Sequence, residues 1–330
     1  MNMYSPGTIL WWLRNRLKLK FMSDKERAGV FYHDTFGKEI NWEHPEDLNQ
    51  WINKLAFTTD TREWSRLADK YTVREYVESK GLGDALVPLL TVWDKPKDID
   101  FEGLPDSFVL KATNGSGDVR IINDKSDADV KELRRYFKKL FRHPFGKASA
   151  EPHYLRIKPR VVAEQLLDKN KQSVESKSLI DYKVWCIGGE PQLVFVVINR
   201  QGSTYETAAF DTQWHRHDEY LNHSGTHRQA SVEIPAPLNL EKMIDSARLL
   251  AAGFPQVRVD FYEVGGNLYF GEMTFTAACG RITSLSDSAL AMLGAKINGG
   301  GRITVIIPFL YRMWYHSCLY RENYGARSAA

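Results

Sequence analysis

The stretch RVDFYEVGGNLYFGEMTFTAACG, residues 258–280, brings two carboxylates, Asp260 and Glu272, together in what reads as two strands joined by a glycine turn. A three-residue turn at Gly265-Gly266-Asn267, with glycine available for its left-handed position, sets Val264 opposite Leu268. Asp260 then faces Glu272, and Arg258 faces Thr274. Strand side chains alternate between faces. Arg258, Asp260, Glu272 and Thr274 therefore share one face, and Val257, Val259, Phe261, Gly271, Met273 and Phe275 the other. A two-residue turn slips the register by one and sends the carboxylates to opposite faces. Like charges directly opposite are destabilising, and a hard divalent cation removes that penalty. Mg²⁺ in particular is held by one or two carboxylates together with phosphate oxygens. The competing reading is an acidic pair on a wet sheet face, with Arg258 as its neighbour.

Further groups along the chain suit anions or metals, each with an ordinary alternative. KATNGSGD sets Lys111 on a strand before a small, polar turn, Asn114, Gly115, Ser116 and Gly117. Backbone N–H groups in such a turn can cradle an anion, and a lysine adds a point charge. The segment is neither GxxxxGK[ST] nor GxGxxG, and NGSG also serves as a plain turn. DYK puts Asp181 and Lys183 on one strand face, where the lysine pairs with an acid, snorkels or meets phosphate. His215, His217, His223 and His227 raise the question of zinc. They lack a nearby cysteine and a helix to fix their spacing, and they read better as a loop over a substrate cleft. DID (98–100) and DAD (127–129) sit at linker or helix-start positions, where aspartate caps.

The elements that must carry these groups follow from periodicity and turn residues. Helices are expected over 45–57 and 62–80, the second holding Lys70 and stopping at Gly81. Strands are expected at 86–93, 108–113, 119–122, 160–167, 179–187 and 192–200, and helices at 127–141 and 240–253. The order is α+β throughout: a helical N-terminal region with short strands (1–104), a small unit with the glycine turn (105–167), a larger antiparallel unit with the carboxylate hairpin (168–300), and a tail (301–330). A site built from both units lies in the cleft between them.

Length and composition narrow the classes. A chain of 330 residues can bury two or three cores, and 43% hydrophobic content excludes a disordered chain. A net charge of +3 gives no ground for a nucleic-acid partner. Cys186, Cys279 and Cys318 form no CxxC, which fits a reducing cytosol. No stretch reaches the length of a membrane span. The start is a basic amphipathic helix candidate, with Leu10, Leu13, Leu17 and Phe21 as its stripe and Arg14, Arg16, Lys18 and Lys20 as its charge. Both it and the apolar, basic tail fit docking on the body or on a second copy in a homodimer, or peripheral contact with the inner face of an anionic membrane.

LADKYTVREYVESKG, LPDSFVLKATNGSGD, IDYKVWCIGGEP, AFDTQW and RVDFYEVGGNLYFGEMTFTAACG, in this order, resemble the TupA-like family of ATP-grasp proteins over residues 36–280. The resemblance implies an ATP-grasp fold, two α+β subdomains clasping ATP, and ATP and Mg²⁺ as cofactors. It implies Lys111 and Lys70 as phosphate-binding lysines, and Asn114, Gly115, Ser116 and Gly117 as a lid. Glu164, Gln165 and Leu166 become the hinge beside adenine, Asp181 and Lys183 nucleotide contacts from the second subdomain, and Asp260 and Glu272 the magnesium carboxylates. Many ATP-grasp ligases carry asparagine where Thr274 stands, and a hydroxyl is the weaker metal ligand.

The implied reaction joins a carboxylate to an amine through an acyl phosphate, with Lys183, Arg258 and Arg281 as the cations to stabilise developing charge. Family association with cell-surface polymers implies a uronic acid and an amino acid or peptide as partners. The rival readings are an ATP-grasp kinase acting on a sugar hydroxyl, a glycosyltransferase, and a nucleotide-binding module without turnover.

Overall fold

The computed structural model describes residue 19 and residues 21–299. The stripe from Leu10 to Leu17 and the tail 301–330 lie outside the described residues. Helix α1 (Asp24–Phe36) opens on a capping box in which Ser23 and Glu26 satisfy each other's backbone N–H, and it ends at Gly37. Helix α2 (Leu48–Thr58) is capped by Asp47, whose carboxylate accepts from the Gln50 N–H. The single helix expected over 62–80 is two, α3 (Arg62–Ala68) and α4 (Val73–Ser79). Asp69 between them is extended, and its buried carboxylate accepts from the Tyr71 N–H at 2.8 Å and pairs with Arg160 at 3.2 Å. Such a local aspartate turn competes with the helical ladder. It leaves Lys70 in a break, tied by its N–H to the Thr113 carbonyl.

The small sheet is antiparallel in the order β1-β4-β2-β3, built from β1 (Leu89–Trp93), β2 (Phe108–Ala112), β3 (Val119–Ile122) and β4 (Val161–Gln165). Helix α5 (Val130–Arg142), capped by Asp129 of the DAD run, covers one face. There Phe137 packs with Phe108, Leu110, Ile122 and Ala163. Lys111 and Glu164 lie on the opposite face, toward the cleft.

The large sheet runs β10-β9-β5-β6-β7-β8. Its strands are β5 (Asp181–Ile187), β6 (Glu190–Gln201), β7 (Thr204–Phe210), β8 (His227–Gln229), β9 (Gln256–Val264) and β10 (Asn267–Thr274). Only β8 pairs in parallel, with β7. Helix α6 (Leu240–Ala251) together with α3 and α4 buries one face through Leu67, Val77, Met243, Ala247 and Leu250. Helix α2 and helix α7 (Asp287–Gly299) cover part of the other, over Trp185, Leu193 and Phe195. The remainder of that face is open and forms a wall of the cleft.

The β9–β10 hairpin corrects the expected turn. Asn267 pairs with Val264, so the turn is the two residues Gly265 and Gly266, both at positive φ (60° and 74°), as a tight hairpin turn requires. Leu268 therefore faces Glu263, not Val264, and Phe270 faces Phe261. The register then shifts at Gly271, after which Glu272 faces Asp260 and Thr274 faces Arg258. A bulge adds one residue to one strand, and here it cancels the one-residue slip of the shorter turn. The two carboxylates meet as expected by a different route. Glu263, on the otherwise apolar face, accepts from the backbone N–H groups of Leu238 and Asn239 just before α6.

Candidate active site

The open part of the large sheet carries the densest charge. Lys183 on β5 lies opposite Asp260 on β9, and its ammonium sits 2.5 Å from the Asp260 carboxylate and 3.5 Å from Asp181. Arg258, two residues before Asp260 on the same face, donates to both Asp260 oxygens at 2.6 and 2.7 Å. It also reaches Glu272 at 3.4 Å and the Thr274 hydroxyl at 3.1 Å, while that hydroxyl donates to Glu272 at 3.1 Å. Burial alone would raise the Asp260 carboxyl, but Arg258 and Lys183 outweigh it and hold it below the ordinary aspartate value. Burial acts likewise on Glu272, where Lys70 leads the groups that bring it down. The repulsion between the two acids is thus answered by three cations supplied by the chain itself.

The facing wall comes from the small sheet and the break after α3. The Lys70 ammonium donates to the Gly115 carbonyl at 2.6 Å and lies 3.6 Å from Glu272, so it spans from the glycine turn to the hairpin. The Lys111 ammonium is 2.6 Å from Glu164, which Arg74 also approaches at 3.7 Å. Ser116 and Gly117 line the cleft, with Gly117 at φ 80°, and Asn114 is buried beneath them. The cleft holds about 410 Å³ between Lys70, Lys111 and the turn on one side and Asp181, Lys183, Arg258, Asp260 and Glu272 on the other.

Other expected residues stand apart from this group. Gln165 is exposed and its N–H bonds the Pro88 carbonyl, and Leu166 is half-buried beside it. Arg281 packs over the Phe31 ring at 5.1 Å, while its neighbours Ala278 and Ile282 line the cleft. Among the four histidines, His215 pairs with Asp211 and His217 with Glu219, each at 2.8 Å, and His227 stacks on Tyr205. No group of three or more histidines, cysteines or acids able to hold a metal occurs among the described residues. Arg74, Arg200, Tyr205 and Tyr262 at the cleft escaped sequence reasoning. Tyr262 was within reach of it, since it shares the strand parity of Arg258 and Asp260. The Asp181 carboxylate and burial raise its hydroxyl well above the ordinary value.

The donor set suits Mg²⁺ arriving with phosphate rather than a cage made by protein alone. It offers two ionised carboxylates and a hydroxyl, all hard oxygens. Glu272 is the accessible one, its side chain 31% exposed against 2% for Asp260.

A sheet with paired carboxylates and a lysine, closed by a smaller sheet with a lysine and a glycine turn, defines the ATP-grasp class. A family model described as TupA-like ATPgrasp matches residues 49–298, most of the chain, and the chain belongs to that family. ATP-grasp members are ATP-dependent ligases that form carbon–nitrogen bonds. None of the curated proteins matches the sequence. Similar solved structures include D-alanine–D-alanine ligase from Bacillus anthracis complexed with ATP, at 16% identity and a TM-score of 0.40, covering 79% of this chain and 69% of that one. Another is an ADP complex of PurK, N5-carboxyaminoimidazole ribonucleotide synthetase, at 13% identity and 0.40, covering 65% of this chain and 46% of that one. The ATP-grasp ligase PsnB, complexed with a phosphomimetic variant of a minimal precursor, Mg and ADP, is 13% identical with a TM-score of 0.39, covering 76% and 65%. The assignment rests on the family match.

Proposed function

We propose that the chain activates a carboxylate with ATP and joins it to an amine, releasing ADP and phosphate. The observation that carries this reading is the opposition across one cleft of the Asp260–Glu272 pair, with Lys183 beside it, and the lysines Lys70 and Lys111. A carboxylate is a poor electrophile because its leaving group is oxide, and phosphorylation gives it phosphate instead. Phosphoryl transfer asks for positioning and charge neutralisation more than for acid–base groups.

In this reading residues 105–167 and 168–300 are the clasping units. Lys111 and Lys70 hold phosphate oxygens, and Asn114, Gly115, Ser116 and Gly117 close over them. Glu164, with Gln165 and Leu166, lies at the nucleotide's base, and Asp181 and Lys183 position it from the large sheet. Asp260 and Glu272, with Thr274 in support, hold Mg²⁺, which when bound neutralises phosphate charge. Lys183 and Lys70, now paired with the carboxylates, are then free to turn to phosphate. Arg258, fixed by Asp260 beside the reacting group, faces the oxyanion that forms when the amine attacks. Arg281 is assigned the same duty from the turn after β10.

The acid is a uronic acid of a cell-surface polysaccharide or its precursor, and the amine comes from an amino acid or peptide. Such a reaction draws on cytosolic ATP. No helix among the described residues is long and apolar enough to cross a membrane. The test is ATP turnover with D-glucuronate and D-galacturonate against a panel of amino acids. ADP and phosphate that form only when acid and amine are both present support the ligase. AMP and pyrophosphate reject it, and a stable phosphorylated sugar formed without amine points to a kinase.

A further inference from the structure

One cation of the cleft is held only by a long ion pair, without a hydrogen bond. Lys70, Lys111, Lys183 and Arg258 each donate a hydrogen bond within the protein. The Arg200 guanidinium donates none among the described residues, and its nearest acid, Asp181, stands 3.7 Å away. Its side chain is 38% exposed and lines the cleft.

Two features hold it there. Strict alternation along β6 would turn Arg200 to the α6 face, beside Val196 and Ile198. The ladder to β7 breaks between Ile198 and Gln201, where Asn199 takes a left-handed conformation with φ 55°. This break redirects Arg200 to the cleft. A non-glycine residue persists in that region only where its surroundings over-determine it, and such strain gathers at ligand sites. Here the Asn199 N–H donates to the Ser176 hydroxyl, its side-chain oxygen accepts from the Lys177 N–H, and its amide donates to Glu206. The guanidinium then lies over the Tyr205 ring at 4.5 Å, and that ring stacks on His227 at 4.4 Å on β8. Burial and the nearby Arg200 charge both disfavour protonation of His227, so the stack carries one positive charge at its cleft end. A stacked guanidinium keeps its edge donors free and fixed in plane, the geometry that matches a carboxylate in two parallel hydrogen bonds.

We infer that Arg200, set by the Asn199 break and the Tyr205–His227 stack, is a specificity-determining anchor for a carboxylate of the co-substrate, distinct from the nucleotide contacts. This rests on the ligase reading above. Strand order supports the division. The magnesium carboxylates are on β9 and β10 and Lys183 on β5, while Arg200 and Tyr205 belong to β6 and β7 on the far side of β5. The carboxylate belongs either to the acid substrate or to the amino acid that supplies the amine.

The experiment compares wild type with Arg200→Ala and Arg200→Lys, using D-glucuronate and L-glutamate as probes, Mg²⁺-ATP for turnover, and Mg²⁺ with AMP-PNP for nucleotide binding. The affinity for AMP-PNP also reports that each variant is folded. Loss of a charge-assisted pair predicts a KM about 10–100-fold higher for one probe in Arg200→Ala. Lysine should restore it only in part, with AMP-PNP affinity within about twofold of wild type. A rise for D-glucuronate names the acid as the source, and a rise for L-glutamate names the amino acid. AMP-PNP affinity that falls with Arg200 makes it a phosphate ligand and overturns the proposal, as does a KM unchanged for both probes. If wild type binds AMP-PNP but turns over neither probe, the ligase reading fails for these substrates. Phenylglyoxal labelling of Arg200, read by peptide mass, then decides. Slower labelling with D-glucuronate or L-glutamate supports the anchor. Slowing by AMP-PNP alone, or by nothing, overturns it.

Discussion

Two clusters in the large sheet's half of the molecule mix acids with basic groups, and both invite a metal when read as sequence. One is the cleft face of β5, β9 and β10, where Asp260, Glu272, Lys183 and Arg258 interlock. The other is the loop after β7, where Asp211, His215, His217 and Glu219 pair. The first is set on neighbouring strands of a sheet, with the Asp260 side chain 2% and that of Arg258 14% exposed. The second is on irregular chain, and the His215 side chain is 74% exposed. Desolvating charge is costly unless it is paired, so the cleft cluster holds together only while its charges balance. The loop cluster rests in water and has little at stake. Chemistry belongs where charge is held dry, because there a bound phosphate or metal changes the balance most.

The comparison breaks most visibly by neutralising one acid in each cluster. Asp260→Asn leaves Arg258 and Lys183 buried without their main counter-charge and should cost about 3–5 kcal/mol in urea unfolding, with ATP turnover lost. Asp211→Asn keeps an acceptor for the Gln213 and His215 N–H groups and should cost less than about 1 kcal/mol. Equal losses would erase the distinction. Acid acts in the same sense. The carboxyls of Asp260 and Glu272 are lowered in the fold from their ordinary values of 3.8 and 4.5. Their stabilising contribution is complete above those values and is lost as pH falls through the lower, folded ones.

Gly271 tests whether the carboxylate pairing depends on the bulge. A Cβ built there meets the Asp260 carbonyl oxygen at 3.0 Å and the Tyr262 ring at 3.2 Å. Gly271→Val should destabilise by about 1–3 kcal/mol through overpacking. It should also raise the KM for Mg²⁺-ATP far more than a Gly265→Asn change in the turn, where left-handed asparagine is tolerated. If the two variants behave alike, the bulge does not set the site.

His153 sharpens the comparison from the buried side. It is fully buried against Trp64 and Tyr154, and neither ring nitrogen has a hydrogen-bond partner. Burial, with Arg156 adding to it, pushes its pKa down to about 3 from 6.5. The unfolded chain takes up that proton first, so stability falls as pH drops below 6.5 and the loss continues toward 3. At pH 5 the loss should be about 1–2 kcal/mol, and His153→Leu should flatten that slope in unfolding measured between pH 5 and 7. An unchanged slope would assign the acid sensitivity elsewhere.

What the sequence disclosed divides along the same line. The paired carboxylates, Lys183 and Lys111 were legible because alternation along strands is local and regular. The hairpin turn was misread, yet the pairing stood, because the bulge at Gly271 offset the error. The helix over 62–80 broke at Asp69, since the pull of a half-buried Arg160 and a local turn is invisible to periodicity. Arg200 was out of reach for a similar reason. Its place depends on Asn199 leaving the strand conformation, and the hydrogen bonds that hold Asn199 come from Ser176, Lys177 and Glu206. The Arg74–Glu164 contact likewise joins elements that only the tertiary fold brings together.

The smallest effect belongs to the histidine loop. His217 is raised above its ordinary value of 6.5, chiefly by its hydrogen bond to Glu219, with Asp211 adding to it. Whatever that pairing adds is present below 6.5 and fades as pH rises through the higher, folded value. Its carboxylate partner Glu219 is 63% exposed, so solvent screens the pair and its contribution is that of a weak surface ion pair. His215→Ala with His217→Ala should therefore shift the unfolding midpoint only slightly and leave the affinity for Mg²⁺ with AMP-PNP as it was. Treatment with a zinc-selective chelator, with Mg²⁺ in excess, should leave ATP turnover unchanged in wild type. Turnover that falls with the chelator and returns with zinc would move the metal from the sheet to the loop, and with it the division between the two clusters.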